Sequence, residues 1–282
     1  GLIAGQAAMI DLYGTSRADM LVKAPAVMVG QLGNDQAAGA GAKGQVVAKM
    51  RALLEDARFY EKRKTDFDRA ETRGLSANRG SLDAMVDVVD GKLPLLIEAD
   101  RAADIQSAID LAKQFDIKVI IGGGAEAWEV ADKLAAARIP VIAGAMMNIP
   151  SSFDALGSRQ DNVALLRKAG VEVALMGNAG GGDEELFNVR NIRYEAGNAV
   201  AYGMSWDDAL RAITEAPAQI FGVADRIGTL QPGREANVVV WDGDPFEFAT
   251  RAVAVYVRGE KQADTSRQDM LTARYKTMPP SY

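Results

Sequence analysis

The chain has neither cysteine nor histidine among its 282 residues. Without cysteine there is no disulfide, no thiolate zinc ligand and no thiol nucleophile, and the redox compartment is left open. Without histidine there is no imidazole base, no histidine-dependent triad and no imidazole-ligated metal. Long apolar runs are missing too: the stretches at 238–241 and 252–257 fall far short of the roughly 20 residues a membrane helix needs. Nor is there an excess of positive charge. The 32 Lys+Arg stand against 38 Asp+Glu, a net charge of −6, which argues against nucleic acid or an anionic membrane as partner. The opening Gly1-Leu2-Ile3-Ala4 has no initiator Met and no basic region, so the start reads as a processed, trimmed or fragment end.

What is present is a chain 48% apolar, long enough for one barrel-sized domain or two smaller ones. From residue 93 short apolar runs alternate with helical patterns. Residues 93–97 form a nearly continuous apolar run, as a strand covered on both faces should. Ile105, Ala108, Ile109, Ala112 and Phe115 then make one helical stripe. The alternation continues with strands expected at 118–121, 140–143 and 171–176, and helices at 126–137, 160–169 and 185–202. Such βα repetition predicts a parallel sheet, open or closed.

The ends read differently. A strand is expected at 7–12, a Gly-rich loop at 30–44, a long helix at 46–68 and a polar linker at 69–78. Near the other end, Ser205-x-x-Asp208 has the form of a capping box opening a helix over 207–221. Strands at 236–241 and 251–258 then flank the turn Asp242-Gly243-Asp244-Pro245.

Candidate chemistry lies between strands and helices. Glu98, Asp100 and Asp104 follow the strand at 93–97. They suit an oxygen-ligand site for a hard cation, or a carboxylate for a cationic substrate. The plainer alternative is that Asp104 caps the next helix and Arg101 neutralises Glu98 or Asp100. Gly122-Gly123-Gly124, followed by Glu126 and Trp128, is an anion cradle or, more simply, a tight turn needing glycine conformations. There is no Walker lysine, and Ala127 stands at the third position of a G-x-G-x-x-G pattern. Asn178 and the run to Glu185 form either a loop over a site or a connection whose acids complement a helix dipole. Met146-Met147 read as packing, Ser151 and Ser152 lack a base to activate them, and the charge-rich stretch 51–64 reads as a solvated helix face.

Three runs carry a resemblance. They are Thr214-Glu215-Ala216-Pro217-Ala218-x-x-Phe221-Gly222, Arg226-Ile227-Gly228-Thr229-Leu230-x-Pro232-Gly233, and Ala236-Asn237-Val238-Val239-Val240-Trp241-x-Gly243-Asp244-Pro245. They resemble the amidohydrolase superfamily, especially its imidazolonepropionase- and prolidase-like members, where the last barrel helix returns to a small β-sandwich. Asn237 stands where the family has Asp. The resemblance covers residues 1–262 and is strongest from 90 onward. It implies a TIM-type (β/α)8 barrel with its site at the strand C-termini. It also implies one or two divalent metals, typically zinc, that activate water against an amide or related bond. The implied ligands are a His-x-His pair after strand one, a Lys or carboxylate after strand four, histidines after strands five and six, and Asp after strand eight. Here the strand-one pair has no counterpart. The strand-five position is Glu98, the strand-six position falls on Gly122 or Gly123, and the strand-eight position is Asn178.

The expectation is an α/β fold: an incomplete barrel over 1–222, a β-sandwich element over 223–262 and a tail over 263–282. The remaining strands would come from another chain or be replaced by dimer contacts, making a homo-oligomer or a pair with a related subunit. The pocket candidates are Glu98, Asp100, Arg101, Gly122, Gly123, Glu126 and Asn178, with no metal or cofactor expected from this chain alone. The first functional reading is a hydrolase of C–N bonds in an amide, cyclic amide or dipeptide-like small molecule. The second is a non-catalytic homologue that binds a small molecule or partners an active subunit. The third is an open, doubly wound nucleotide-binding domain. Cytoplasm and periplasm are equally compatible with the sequence.

Overall fold

The computed structural model describes residues 1–33, 41–146, 148–150, 152–177 and 189–276. Its frame is a six-stranded sheet in strictly sequential order. The strands are β1 (Ile3–Ile10), β2 (Leu21–Gln31), β3 (Leu95–Ala99), β4 (Val119–Gly123), β5 (Val141–Ala143) and β6 (Val173–Leu175). β1 runs antiparallel to β2, and every later pair is parallel.

Sequential parallel order has a geometric consequence. Right-handed crossovers that always advance by one strand place all their helices on the same face. The burial pattern agrees. The main core gathers Met28, Leu95, Ile97, Ala99, Val119, Ile121, Val141, Ala143, Val173 and Leu175 against helical residues such as Leu54, Met85, Ile109, Leu134 and Leu166. The alternate residues Val29, Leu96, Ile120, Ile142 and Ala174 lie outside that core. A doubly wound sheet reverses its strand order at a switch point and carries helices on both faces, so the third functional reading is excluded.

The helices follow their apolar stripes. α1 (Arg17–Met20) is a single turn in the β1–β2 hairpin, and α2 (Lys43–Lys62) buries Val46, Met50, Leu53, Leu54, Ala57 and Tyr60. The helix expected over 46–68 breaks at Arg63, whose φ of −131° and ψ of 33° separate α2 from α3 (Lys64–Asp68). Past the linker comes α4 (Arg79–Val89), opened by the Asn78 side chain accepting from Ser81 N and burying Leu82, Met85, Val88 and Val89. α5 (Ala102–Phe115) packs on β3 and β4. The next expected helix starts as a tighter 3₁₀ turn at Ala127–Val130 before α6 (Ala131–Ala137). α7 (Asn162–Lys168) and α8 (Ile192–Ala201) follow. The helix expected over 207–221 is two, α9 (Trp206–Ile213) and α10 (Glu215–Ile220), parted at Thr214.

The C-terminal unit is a single three-stranded antiparallel sheet, β7 (Val238–Trp241), β8 (Ala252–Val257) and β9 (Glu260–Lys261), followed by α11 (Arg267–Tyr275). This small antiparallel sheet stands where the β-sandwich element was expected, and the described residues form one layer of it. This sheet is stitched to the first strands across the chain. Arg258 donates from Nε and Nη2 to the Asp11 carboxylate at 2.8 and 3.1 Å, and Tyr13 donates to Glu260 at 3.0 Å. Arg226 reaches Val22 O at 3.1 Å, and Lys23 Nζ reaches Phe221 O at 2.7 Å. The hairpin thus folds against the segment beyond β6, so the two ends of the chain meet. Among the described residues no helix is long and apolar enough to cross a membrane.

Candidate functional site

Ladder register places Gln31, Glu98, Gly122, Ile142 and Ala174 in one row across the sheet. A deeper row holds Val29, Leu96 and Ile120. Successive strand residues point to opposite faces, so these rows share the face opposite the helix-covered core, where Ile120 and Ala174 are nonetheless buried. The first row sits at the strand C-termini, where βα loops converge.

Those loops are interlocked. Lys43, at the start of α2, donates to Gly33 O after β2, to Asp104 in α5 at 3.3 Å and to Asp154 in the loop after β5 at 2.8 Å. Burial pushes the Lys43 ammonium down, but Asp154 and Asp104 more than reverse this, and its pKa rises above the ordinary lysine value. The Asp100 carboxylate accepts from Ala125 N at 3.2 Å. Burial raises its pKa, the Asp154 and Glu126 charges add to the rise, and the backbone donors at Ala125 and Gly124 oppose it. Glu126 accepts from Ala102 N at 3.0 Å with one oxygen and from Gly157 N at 3.1 Å with the other. Trp128 closes the same contact by donating Nε1 to Gly157 O at 2.9 Å.

Glu195 of α8 holds the loop after β5. It is fully buried and accepts from Ala145 N at 2.6 Å and Met146 N at 2.8 Å, while the Asn198 amide donates to Ala145 O. Three bonds onto one dipeptide fix its direction. Neither Lys43 nor Glu195 stands out in the sequence, because their side-chain and loop partners beyond Gly33 lie 49 to 111 residues away.

The expected site residues divide accordingly. Asp104 does not cap α5: the N-cap is Arg101, whose own side chain makes no cap bond, the Glu126 carboxylate takes the Ala102 N–H instead, and Asp104 is buried against Lys43. Arg101 does not neutralise Glu98 or Asp100; its charged partner is Asp154, at 4.0 Å. Gly123 and Gly124 take φ of +84° and +70°, the left-handed geometry of a tight turn. A Cβ on Gly123 would lie 2.7 Å from Asp100 Oδ1, so the Asp100 side chain occupies the space a larger residue would need. Gly122 has an ordinary φ, but a Cβ there would sit 3.1 Å from Leu96 Cδ2 and 3.7 Å from Glu98 Cγ. Glu98 is exposed, and its carboxylate takes no hydrogen bond or ion pair from any described residue. Asn178, with the run to Glu185, Met147 and Ser151, lies outside the described residues.

Among the described residues, no three of His, Cys, Asp and Glu converge as a metal-binding group. Two sizeable clefts lie away from the strand ends. One, of about 870 Å³, separates β1 from α2 and α4; the other, of about 1300 Å³, separates the helices α8–α10 from the small sheet.

Three comparisons bear on this arrangement. The sequence model described as "Amidohydrolase family" matches residues 119–266. The chain is similar to the amidohydrolase tasK of Hapsidospora irregularis, 34% identical over 82 residues, which are 29% of this chain and 8% of that protein. It is similar to an imidazolonepropionase of Mesorhizobium japonicum, 24% identical over 161 residues, covering 56% of this chain and 37% of that protein. It thus spans little more than a third of the one relative's length and under a tenth of the other's. Among solved structures, an amidohydrolase from Thermotoga maritima superposes with a TM-score of 0.81 at 27% identity, covering 92% of this chain and 68% of that one.

Proposed function

This chain belongs to the amidohydrolase family, and from that premise we propose that its five parallel strands form one arc of a (β/α)8 barrel whose mouth binds a small molecule without the family's zinc. Strict sequential order, helices on one face only and the meeting of the chain's two ends support the barrel reading. Among the described residues β6 has no second neighbour in the sheet, and the proposal is that a related polypeptide, or a second copy, pairs there and closes the ring.

The observation that carries the functional reading is the donor set at the mouth. The two described positions where the resemblance implies imidazoles are a carboxylate, Glu98, and a glycine, Gly122 or Gly123. One carboxylate and one missing side chain fall short of the three protein ligands that a catalytic zinc needs. The replacement is also built in, because Asp100 fills the space beside Gly123. We therefore read the chain as a small-molecule-binding or partner subunit of the family.

A second reading keeps hydrolysis of an amide, cyclic amide or dipeptide-like C–N bond. It is favoured by the intact run from Thr214 to Pro245 and requires catalytic ligands from a partner polypeptide. Assaying the purified full chain against cyclic imides, amides and dipeptides, with and without added zinc, separates the two. The binding reading predicts no turnover at any zinc concentration. Zinc-dependent turnover by this chain alone contradicts it.

A further inference from the structure

We propose that the edge strand β7 and the cleft beside it hold an extended segment of another polypeptide, added as a fourth strand, apolar at alternate residues and acidic at one end. This surface lies away from the strand-end mouth and needs neither that reading nor closure of the ring at β6. β8 is the middle strand of the small sheet, between β7 and β9. Its Val255 carbonyl accepts from Gln262 N, on the β9 side. Along an antiparallel strand each residue turns its N–H and C=O to the same side, and successive residues alternate sides. Val239, the register partner of Val255, therefore turns both groups outward from β7, and no described residue pairs with either. An unpaired rung on a strand of Val-Val-Val-Trp, with no charge or proline to blunt it, is a template for a further strand.

The cleft supplies the side-chain specificity. Residues two apart share a face of a strand, and Val239, Trp241 and Val255 form one wall of the space of about 1300 Å³ against α8–α10. That space exceeds the roughly 300–1,000 Å³ of ordinary small-molecule pockets. Its lining includes Leu230 and Phe248, 78% and 77% exposed, so apolar surface is left for a partner to cover. The charges around it are uneven. Glu215 is held by Arg211, Glu235 by Arg226, and Arg193 by the Pro245 and Glu247 carbonyls. The Arg190 and Arg251 guanidiniums have no partner among the described residues. Asp207 sits in the first turn of α9, where the helix dipole offsets its charge. Both arginines lie at the Trp241 end of the strand. Arg251 precedes Ala252, which pairs with Trp241, and Arg190 is one turn before Arg193, whose guanidinium stands 5.2 Å from the centre of the Trp241 ring. The acid of the added strand belongs at that end. β7 itself carries none, so β7 of a second copy would leave the arginines unanswered.

The test titrates the full chain with a blocked eight-residue peptide, six residues alternating Val and Thr followed by two Glu. The readouts are the Val239 amide and the Trp241 indole signals by NMR. The expected result is saturable movement of both and at least tenfold slower hydrogen exchange at the Val239 N–H. Methylating the backbone nitrogens of the Val and Thr residues should abolish binding. Lys in place of both Glu should weaken it at least fivefold, and Arg251→Gln should remove most of that preference. Arg251 is exposed with an unpaired side chain, so the fold survives its replacement, which the remaining spectrum verifies. Light scattering of the free chain reports whether a second copy takes the edge instead. Equal binding by the N-methylated peptide, no response at Val239 to any peptide, or a dimer that already protects the Val239 N–H each overturns the proposal. Equal binding of the Glu- and Lys-ended peptides overturns the acidic assignment and leaves strand addition standing.

Discussion

The two faces of the same strands are built on different rules. On the helix-covered face, Leu95, Ile97, Val119, Ile121, Val141 and Val173 are almost wholly buried and belong to one continuous core. On the other face, Ile120 and Ala174 are buried as well, but Leu96 and Ile142 are only half-buried, Glu98 is exposed and Gly122 has no side chain. The first face carries the free energy of folding. The second buries less, and at its strand ends it is free to vary in chemistry, so a family scaffold keeps its shape here while Glu98 and Gly122 differ from the zinc ligands the resemblance implies. The rim between the faces, held by Lys43, Asp100, Glu126 and Glu195, belongs with the first: its polar groups are spent on holding loops.

The largest expected effect tests that division directly. Ile97→Ala deletes a fully buried side chain and should cost about 2–5 kcal/mol in urea unfolding. Leu96→Ala, one residue along on the opposite face, should cost no more than about 1 kcal/mol. Equal losses would break the comparison. Next in size is Glu195→Ala. It strands the Ala145 and Met146 N–H groups, each worth about 1–3 kcal/mol when buried without a partner, and should speed amide exchange at those two residues before any other strand-end position. Exchange unchanged at both would show that the loop after β5 is fixed by something else.

Asp100 gives a smaller and pH-dependent effect. Its folded pKa is raised, so between the unfolded and folded values the native state holds the extra proton, and stability falls as pH rises through that window. Asp100→Asn should flatten this part of the stability–pH curve, read as denaturation midpoints from acid to neutral pH. A slope that persists in the variant would assign the titration elsewhere. Asp56 runs the other way. Burial pushes its carboxyl up, but the Ser76 N–H and Arg73 bring it below the ordinary aspartate value. Its contribution is present above the unfolded pKa and is lost as pH falls through the folded one, so Asp56→Asn should remove part of the acid-limb instability.

Much of the first face was legible in the sequence because burial leaves a periodic signature. The apolar run at 93–97 and the stripe from Ile105 to Phe115 became β3 and α5. The run at 93–97 also misled, since a continuous apolar strand suggests cover on both faces and Leu96 has it only in part. β2 escaped notice because Lys23 and Pro25 interrupt its pattern where it pairs with the edge strand β1 rather than with the core. α4 was hidden by Gly80 beside the polar linker, although Asn78 and the Leu82, Met85, Val88 spacing mark it. At the mouth, residue types were readable and their partners were not. That Asp104 belongs to Lys43, and that Ala145 and Met146 belong to Glu195, follows only from the fold's closing of distances of 49 to 61 residues.

The central claim is that the face opposite the helix-covered core is, at the strand ends, a binding mouth that does not grip zinc. Titrating the metal-free full chain with zinc while following the methyls of Leu96, Ile120 and Ile142 tests it most directly. The account predicts no saturable movement of these methyls. A saturable zinc response there, lost in Glu98→Gln, would contradict it.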